Sequence, residues 1–426
     1  MKSGSQSIAF PAAESLNQPA CAAGRSLRLA YFSPETFGGL ADYAREQSHA
    51  LGAAGASVLF VTAPSIANRL HDSPNKTVPI LAEIPASSAA QNRWARRLRS
   101  LRWILGNMRS FADWIERERV RYVLFGSFME YLAPLWVAPY RQLAAQGVVF
   151  GSVIHDPIRN TPLGPQWWQR RSIAANYSFL AEAFVHDPIA LDTVRPMAQL
   201  QTTVIPHGPY PFTPPRMAGE MLRQQLQIPA NAVLLLAFGL LRDAKNLDLV
   251  LRAMKSQPDT YLLVAGKELS ATQKPAAYYQ KLAAQLGLAD RCRWRIGFVP
   301  EAEIGNYFAA ADLVLLTYNH DFRSASGVLN VATQFRRPCL ASGGAGNLKT
   351  SVIKYGLGQW IEPDDVSAIA NGLARWRAAA RPPDWAGYAR DNSWERNATL
   401  VLQRFSAHPT LISSAHSPDY QAESRS

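Results

Sequence analysis

The stretch that most constrains the fold is an apolar run that ends in a glycine followed by two cations. Residues 234–238 are apolar, and residues 247–254 carry apolar side chains at helical spacing. An apolar run bounded by turn residues predicts a buried strand, and Gly239 allows a tight backbone turn at its end. Arg242 and Lys245 then lie at the strand's carboxyl end, where open α/β sheets bind ligands. The stretch therefore predicts a strand–turn–helix unit that offers two positive charges to a ligand.

A second segment downstream predicts an anion-binding turn. Residues 323–331 place small side chains, including Ser326 and Gly327, before an apolar helix. Backbone N–H groups point outward at such a helix start, and the helix dipole favours negative charge there. Two cations and one helix N-terminus suit a diphosphate, so we predict that the molecule is built around holding one.

Strand-like and helix-like segments alternate along the rest of the chain. It opens with a predicted strand at 27–32, a helix at 40–52 and a strand at 57–61. In the second half, strands are predicted at 233–238, 260–265, 293–297, 313–317 and 338–342. This alternation implies parallel, doubly wound sheets, and 426 residues are enough for two domains.

Several short motifs, taken in order, resemble one enzyme family. They are Ile205-Pro206-His207-Gly208, the run from Phe238 to Lys245, Gly297-Phe298-Val299-Pro300, Ala311-Asp312-Leu313, Ser326-Gly327-Val328 and Arg337-Pro338. Their order and spacing resemble the retaining glycosyltransferases of family 4, well over residues 200–370 and more weakly over the N-terminal half. The resemblance implies an α/β protein with the GT-B fold, in which two Rossmann-like, doubly wound parallel-sheet domains face a central cleft.

The resemblance also implies a division of the chain. We expect a disordered leader (1–25), an acceptor-side N-terminal domain (26–208), a donor-side C-terminal domain (209–380), helices that cross back to the first domain (381–405) and a disordered tail (406–426). Prolines at 211, 214 and 215 predict a stiff linker between the domains.

The family pattern assigns roles to individual residues. It implies that Lys245 neutralises the leaving diphosphate and that His155 meets the donor sugar. Leu240 stands at the family's usual arginine position, so Arg242, the other cation of this stretch, is the candidate for that role. The donor-binding candidates are Gly38, Gly39, Gly239, Phe298, Val299, Ser326, Gly327, Val328 and Asn330. Plain structural alternatives remain open: the glycine pair suits an ordinary tight turn, and Lys245 suits a surface position at a helix start.

Two His-Asp-Pro triplets follow strand-like runs, one at His155-Asp156-Pro157 and one at His186-Asp187-Pro188. Aspartate before proline is typical of a helix start, with the aspartate as cap. We therefore predict a helix after each triplet and treat His186 as a second candidate beside His155.

The chain departs from the family pattern at two carboxylates. The paired glutamates around the serine–glycine turn are replaced by Arg323 and Val331. Asn330 and Asp321 are the candidates to take over the grip on the ribose, which the resemblance assigns to the second glutamate. No Asp-x-Asp metal motif occurs in the sequence, so we expect activity without a metal ion or other cofactor.

A basic segment at 91–119 interleaves arginines with Trp94, Leu98 and other apolar residues. A basic amphipathic helix with tryptophan is typical of membrane-surface binding, and the net charge of +12 agrees with this interpretation. A solvated domain helix is the alternative. Trp167, Trp168, Arg170 and Arg171 offer a second contact or a simple loop. We find no nucleic-acid signature.

Three scattered cysteines fit a reducing compartment, and residues 1–25 make a poor signal peptide. We expect a cytoplasmic location, peripheral on the inner face of the cell membrane. The sequence thus favours a glycosyltransferase that uses a nucleotide sugar and a lipid-linked or saccharide acceptor, in bacterial-type exopolysaccharide, lipopolysaccharide or glycolipid assembly. A non-catalytic partner subunit and a sugar-nucleotide epimerase remain the alternatives.

Overall fold

The structure is a computed structural model that describes residues 26–408 apart from short segments. The segments left out inside that range are 37, 68–73, 85–92, 156–163, 189, 211, 270–271, 324–325 and 379–381. The predicted leader, all but the first residues of the predicted tail, and the helix start predicted at Asp156-Pro157 lie outside the described residues.

The first domain is an α/β unit. Its strands are β1 (Arg28–Phe32), β2 (Ser57–Val61), β3 (Lys76–Val78), β4 (Tyr122–Phe125), β5 (Val149–Ile154), β6 (Glu182–Val185) and β7 (Gln201–Val204). Its helices are α1 (Gly39–Ala53), α2 (Pro64–Ala67), α3 (Arg93–Arg117), α4 (Ala133–Ala145) and α5 (Gln166–Tyr177).

The described strands of this domain form one parallel sheet in the order β3-β2-β1-β4-β5-β6-β7. Central strands such as β5 are buried along their whole length, because helices cover both faces of the sheet. Right-handed crossovers place α1 on one face and α3, α4 and α5 on the other, since the chain moves in opposite directions from β1 and from β4. On the second face α4 packs between α3 and α5.

The second domain repeats the architecture. Its strands are β8 (Val233–Phe238), β9 (Thr260–Gly266), β10 (Cys292–Ile296), β11 (Leu313–Thr317), β12 (Cys339–Ser342) and β13 (Gly358–Trp360), and its helices are α6 (Gly219–Gln225), α7 (Leu247–Ala253), α8 (Ala276–Gln285), α9 (Glu301–Ala310), α10 (Gly327–Gln334), α11 (Asn347–Lys354) and α12 (Val366–Ala378). The described strands pair in parallel in the order β10-β9-β8-β11-β12-β13. The prediction of two parallel-sheet α/β domains is confirmed.

Two further helices, α13 (Trp385–Asp391) and α14 (Trp394–Ser406), end the described chain. Helix α14 packs on α1 of the first domain, and its Phe405 side chain is fully buried there. The fully buried carboxylate of Glu182 on β6 accepts hydrogen bonds from Arg404 Nε and Nη2 at 3.0 and 2.9 Å. Helix α14, the last helix that the structure describes, is thus bound to the first domain by packing and by a buried ion pair.

Three local predictions need correction. No helix follows Asp187-Pro188 in the described residues, because the Asp187 carboxylate accepts the backbone N–H of Asn347 at the start of α11 instead of capping its own segment. Trp167 and Trp168 lie in the first turn of α5, not in a loop. The sequence of residues 216–226 also predicts a helix, but α6 begins only at Gly219, since the Arg216 and Met217 amides donate to Asn306 Oδ1.

Candidate functional site

In each sheet the strand order reverses at one position, between β1 and β4 in the first domain and between β8 and β11 in the second. Ligands of open α/β sheets bind at the carboxyl ends of the strands beside such a reversal. Gly38 and Gly39 follow β1, and Gly239 follows β8. The topology therefore places two of the predicted glycine turns at the reversal points.

Gly239 makes the turn after β8 with a φ of +89°, which favours glycine over other residues. Lys245 ends a single turn of 3₁₀ helix, Asp243–Lys245, and its side chain reaches back to the strand. Its Nζ donates to the Phe238 carbonyl oxygen at 2.7 Å. The ammonium group is thereby fixed beside the glycine turn.

The charge on Lys245 lies in a poorly hydrated place. Burial, together with the neighbouring Arg242 charge, lowers the pKa of Lys245 to about 8. A desolvated ammonium group beside a second cation is stabilised when an anion arrives. Arg242 itself is exposed at the start of the 3₁₀ turn.

Helix α10 begins at the turn for which anion binding was predicted from its small residues. Ser326 is the N-cap, and its Oγ accepts from the Leu329 backbone N–H at 3.3 Å. Oγ also lies 3.0 Å from the Tyr318 hydroxyl oxygen, which holds the cap in place. The backbone N–H of the exposed Gly327 remains at the positive end of the helix dipole.

The two half-sites meet at Gly239. A Cβ placed on this glycine would lie 3.5 Å from Lys245 Nζ and 3.8 Å from Val328 Cγ2 in the first turn of α10. The lysine ammonium and the start of α10 therefore flank one turn of backbone. An anion lying on Gly239 would meet both.

Phe298 and Val299 follow β10, two strands from β8. The turns are connected by backbone hydrogen bonds, from Gly297 N–H to Gly266 O and from Gly239 N–H to Ala265 O, both at 2.9 Å. The Phe298 side chain is 83% exposed. The segment thus lies along the same sheet edge as Gly239 and keeps an uncovered aromatic ring.

Gly38 and Gly39 begin α1 with exposed backbone. A Cβ on either glycine would meet no heavy atom within 4 Å. Gly38 has a φ of +87°, and the Gly39 carbonyl accepts from the Tyr210 hydroxyl at the domain junction, 3.2 Å away. The glycine pair leaves open space at the helix start, so both interpretations, ligand contact and tight turn, remain.

His155 belongs to a buried aromatic cluster at the end of the first sheet. Its ring lies 4.7 Å from Tyr43 and 5.5 Å from His186, and His186 lies 5.3 Å from His207. Burial lowers the pKa of His155 to about 4, and it also lowers the pKa values of His186 and His207. The three imidazoles are therefore neutral at pH 7.

Asn330 does not have the surroundings expected of a ribose ligand. Its side chain is buried, its Oδ1 accepts from the Tyr388 hydroxyl at 2.6 Å, and its Nδ2 lies 2.9 Å from His207 Nδ1. Asn330 instead connects α10 to the histidine cluster of the first domain. Asp321 is exposed, and its carboxylate pairs with His320 at 3.2 Å.

The interpretation from sequence missed several residues that join the domains. The Asn347 side chain donates to the His186 carbonyl at 3.1 Å, and Asn397 donates to Tyr43 Oη and to the Pro206 carbonyl at 3.0 and 2.7 Å. Their types, asparagine and tyrosine, carry no local signal. The pairings appear only when the two sheets are placed together.

Comparison with known proteins places these features in context. Residues 220–390 match the family model described as glycosyl transferases group 1. A D-inositol 3-phosphate glycosyltransferase from Streptomyces avermitilis is 27% identical over 215 residues, which are 46% of this chain and 45% of that protein. The matched region thus spans less than half the length of that curated relative.

Several solved structures resemble the fold of this chain over most of its length. A glycosyltransferase from Rickettsia africae has a TM-score of 0.65 at 14% identity, covering 89% of this chain and 98% of that one. HepE from Anabaena, in complex with UDP and glucose, also has a TM-score of 0.65, at 13% identity, covering 89% and 99%. At such identities the likeness shows the fold.

Proposed function

We propose that this chain, a GT-B protein whose residues 220–390 match the family model for glycosyl transferases group 1, transfers a sugar from a nucleotide-diphosphate sugar to an acceptor hydroxyl. The observation that carries the proposal is the pairing of the Lys245 ammonium with the start of α10 around Gly239. That HepE was solved with UDP and glucose supports a nucleotide sugar as the donor.

The transfer breaks the bond between the sugar's anomeric carbon and the diphosphate oxygen. Negative charge then grows on the leaving diphosphate, and fixed donors that face it lower the barrier. In the proposed mechanism Lys245, Arg242 and the backbone amides near Gly327 supply this stabilisation. These groups can neutralise the leaving group without a divalent ion, so the proposed reaction is independent of metal.

The stereochemical part of the proposal comes from the family resemblance. It implies retention at the anomeric carbon, with the leaving phosphate accepting the proton of the acceptor hydroxyl. No protein nucleophile is proposed. His155 is neutral at pH 7 because burial lowers its pKa to about 4, so its proposed role is hydrogen bonding to the donor sugar and not charge stabilisation.

The exposed surface of helix α3 favours an acceptor that is bound to a membrane, and we include such an acceptor in the proposal. Residues 94–100 are exposed on every side, and Trp94 and Leu98 are 74% and 50% exposed. The same turns carry Arg96, Arg97 and Arg99, and the first acidic residue of the helix is Asp113. None of the helices that the structure describes is long and apolar enough to cross a membrane. A basic, tryptophan-bearing helix end suits contact with an anionic membrane surface.

One observation favours a second candidate, a non-catalytic subunit that binds nucleotide. Arg323 and Val331 stand where the family pattern has glutamates, Val331 is packed in the core, and Asn330 is engaged between the domains. The described residues of this region thus offer no substitute at these positions for the ribose-binding carboxylate. Binding without turnover would distinguish this candidate from the enzyme, whereas an epimerase would convert the nucleotide sugar without any acceptor.

The experiment is a donor screen in excess EDTA. Thermal stabilisation by a panel of nucleotide sugars identifies the donor, and release of nucleoside diphosphate is then followed with lipid-linked and saccharide acceptors. We expect one donor to stabilise the protein and to be consumed only when an acceptor is present. Stabilisation with no turnover on any acceptor would favour the binding subunit, and no stabilisation by any nucleotide sugar would contradict both.

A further inference from the structure

The outer face of the first domain contains a groove that the proposed reaction does not use. It lies between α4, α5 and the loop before β7, and has a volume of about 430 Å³. Four arginines, Arg141, Arg170, Arg171 and Arg195, line it together with small and apolar side chains. Such a cavity is larger than a single ordered water or monatomic ion requires.

Among the described residues, no carboxylate compensates the positive charge in the groove. None of the described residues that line it is acidic, and no described carboxylate pairs with any of the four guanidinium groups. Asp192 is the nearest acid in the sequence to Arg195, and its Oδ1 accepts the Val194 backbone N–H at 2.9 Å. Four cations around one groove repel each other, so a multiply charged anion would be held strongly there.

The chemistry of the arginines indicates which anion fits. The guanidinium group is planar and donates two parallel hydrogen bonds, which match the oxygens of a phosphate group. Arg141 Nε donates to Ser178 Oγ at 2.6 Å, so this guanidinium is oriented before any ligand arrives. Val194 has a φ of +68°, a rare conformation for a β-branched residue, immediately before Arg195.

The edges of the groove indicate where the anion comes from. Trp167, in the first turn of α5, is 63% exposed, and Leu135, in the first turn of α4, is 52% exposed. Helices α3, α4 and α5 all start at the carboxyl edge of the same parallel sheet and lie side by side. The exposed apolar residues of all three helix starts, Trp94 and Leu98 included, therefore lie along one rim of the domain. The first turn of α4 belongs to this rim, and its Pro134 lines the arginine groove.

We propose that this groove binds the phosphate headgroup of a membrane lipid while the apolar residues of the rim contact the lipid interface. A lipid phosphate satisfies both features, because the headgroup meets the arginines at the depth where tryptophan and leucine side chains prefer to lie. The inference concerns a site separate from Lys245 and goes beyond the proposed sugar transfer.

The test measures binding to two kinds of vesicle matched for zeta potential, one containing phosphatidic acid and the other phosphatidylglycerol. The first lipid presents a terminal phosphate, and the second a phosphodiester. We expect the wild-type protein to bind phosphatidic acid vesicles roughly tenfold more tightly, as charge-assisted hydrogen bonds to an exposed phosphate would give.

The double variant Arg170→Gln/Arg171→Gln and the single variant Arg195→Gln should lose this preference and still bind phosphatidylglycerol vesicles. These side chains are exposed and pair with no described carboxylate, so folding should be unaffected. The variant Arg96→Gln/Arg97→Gln/Arg99→Gln should weaken binding to both vesicles and keep the preference. The control variant Lys281→Gln/Arg375→Gln removes two positive charges, as Arg170→Gln/Arg171→Gln does, but from exposed sites of the second domain. It should behave as wild type.

A wild-type protein without the preference, or groove variants that retain it, would overturn the proposal. Soluble phosphate is tested with inorganic pyrophosphate and the Lys245→Ala protein, in which the proposed diphosphate site is impaired. If pyrophosphate binds to the groove of this variant through Arg170 and Arg171 as tightly as phosphatidic acid vesicles do, the ligand is a free phosphate and the lipid assignment fails. None of these measurements requires sugar transfer, so failure of the proposed reaction would not alter them.

Discussion

At the residue scale, Lys245 is a half-buried cation fixed beside the Gly239 turn. Its Nζ donates to the Phe238 carbonyl, and its pKa is lowered to about 8 by burial and by Arg242. Because the folded-state pKa lies below the ordinary value of 10.5, the lysine charge costs stability that grows as the pH falls from about 10.5 and is complete below about pH 8. In the proposed mechanism this cost is offset on binding, because a diphosphate that lies on Gly239 stabilises the positive charge of Lys245.

Replacing Lys245 by alanine should therefore abolish most turnover without lowering the melting temperature. We expect a loss of about 10²–10³ in kcat, the range found when one donor to a developing oxyanion is removed. The measurement is nucleoside diphosphate release at saturating donor, with circular dichroism melting in parallel. Lys281→Ala, at an exposed site, is the control. Wild-type turnover in the Lys245 variant would remove this residue from the mechanism.

The lowered pKa also predicts a pH profile. Lys245 is protonated below about pH 8 and loses its charge as the pH rises through that value. The ratio kcat/KM, which reports the free enzyme, should fall on the alkaline side with an apparent pKa near 8. Lys245→Arg keeps a charge at high pH, so it should lower the rate through altered geometry and remove this alkaline fall. A fall at the same pH in the arginine variant would assign the titration to another group.

At the element scale, local patterns located most of the second domain. The strand predicted at 233–238 is β8, and the apolar runs near 260, 293, 313 and 338 are strands within a residue at either end. The turn at Gly239 and the helix start at Ser326 were predictable because both depend on residues that are adjacent in sequence. The contact between His207 and Asn330 could not be predicted, since 123 residues separate them and only the packing of the domains brings them together.

Element-scale reasoning failed where a polar side chain bonded outside its own segment. Asp187-Pro188 has the composition of a helix start, but the Asp187 carboxylate binds the N-terminus of α11. Asn330 was a candidate for the ribose and is engaged by Tyr388 and His207. A short polar motif specifies a donor or an acceptor, and the tertiary structure decides its partner.

Helix α3 allows a direct test of the membrane contact. It is anchored by Trp103 Nε1, which donates to the Ala82 carbonyl at 2.7 Å, while residues 94–100 project into solvent. Changing Arg96, Arg97 and Arg99 to glutamine should weaken binding to anionic vesicles by up to about 3 kcal/mol, since each basic residue near such a surface contributes about 1 kcal/mol. Vesicle sedimentation at low and high salt measures the effect. Unchanged binding would mean that the helix is an ordinary solvated helix.

At the scale of the whole molecule, the last described helix, α14, packs on the first domain although the chain reaches it only after passing through the second. Glu182 is fully buried and pairs with Arg404, with His408 Nε2 also 2.8 Å from its Oε1. The network of Gln47, Tyr43 and Asn397 adds buried hydrogen bonds between α1 and α14. The second domain begins after the predicted proline linker, and the last described helix returns to the first domain.

Breaking the ion pair of Glu182 should destabilise the molecule more than removing an exposed charge does. Arg404→Ala would leave a buried carboxylate with a reduced set of partners, a change that costs about 3–5 kcal/mol when a buried pair is broken. We expect a lower melting temperature, measured by calorimetry, with earlier proteolysis of α14. Arg396→Ala, at an exposed position of the same helix, should leave the melting temperature nearly unchanged. Equal melting temperatures for the two variants would show that the ion pair contributes little.

The proposed mechanism requires that a diphosphate is held between Lys245 and the start of α10 without a divalent ion. The most direct measurement is isothermal titration of the protein with UDP, GDP and ADP in excess EDTA, beside the corresponding monophosphates and the Lys245→Ala variant. We expect that one diphosphate binds under these conditions, that its monophosphate binds more weakly, and that Lys245→Ala removes most of the difference. Binding that appears only when Mg²⁺ is added, or that is the same in the variant, would contradict it.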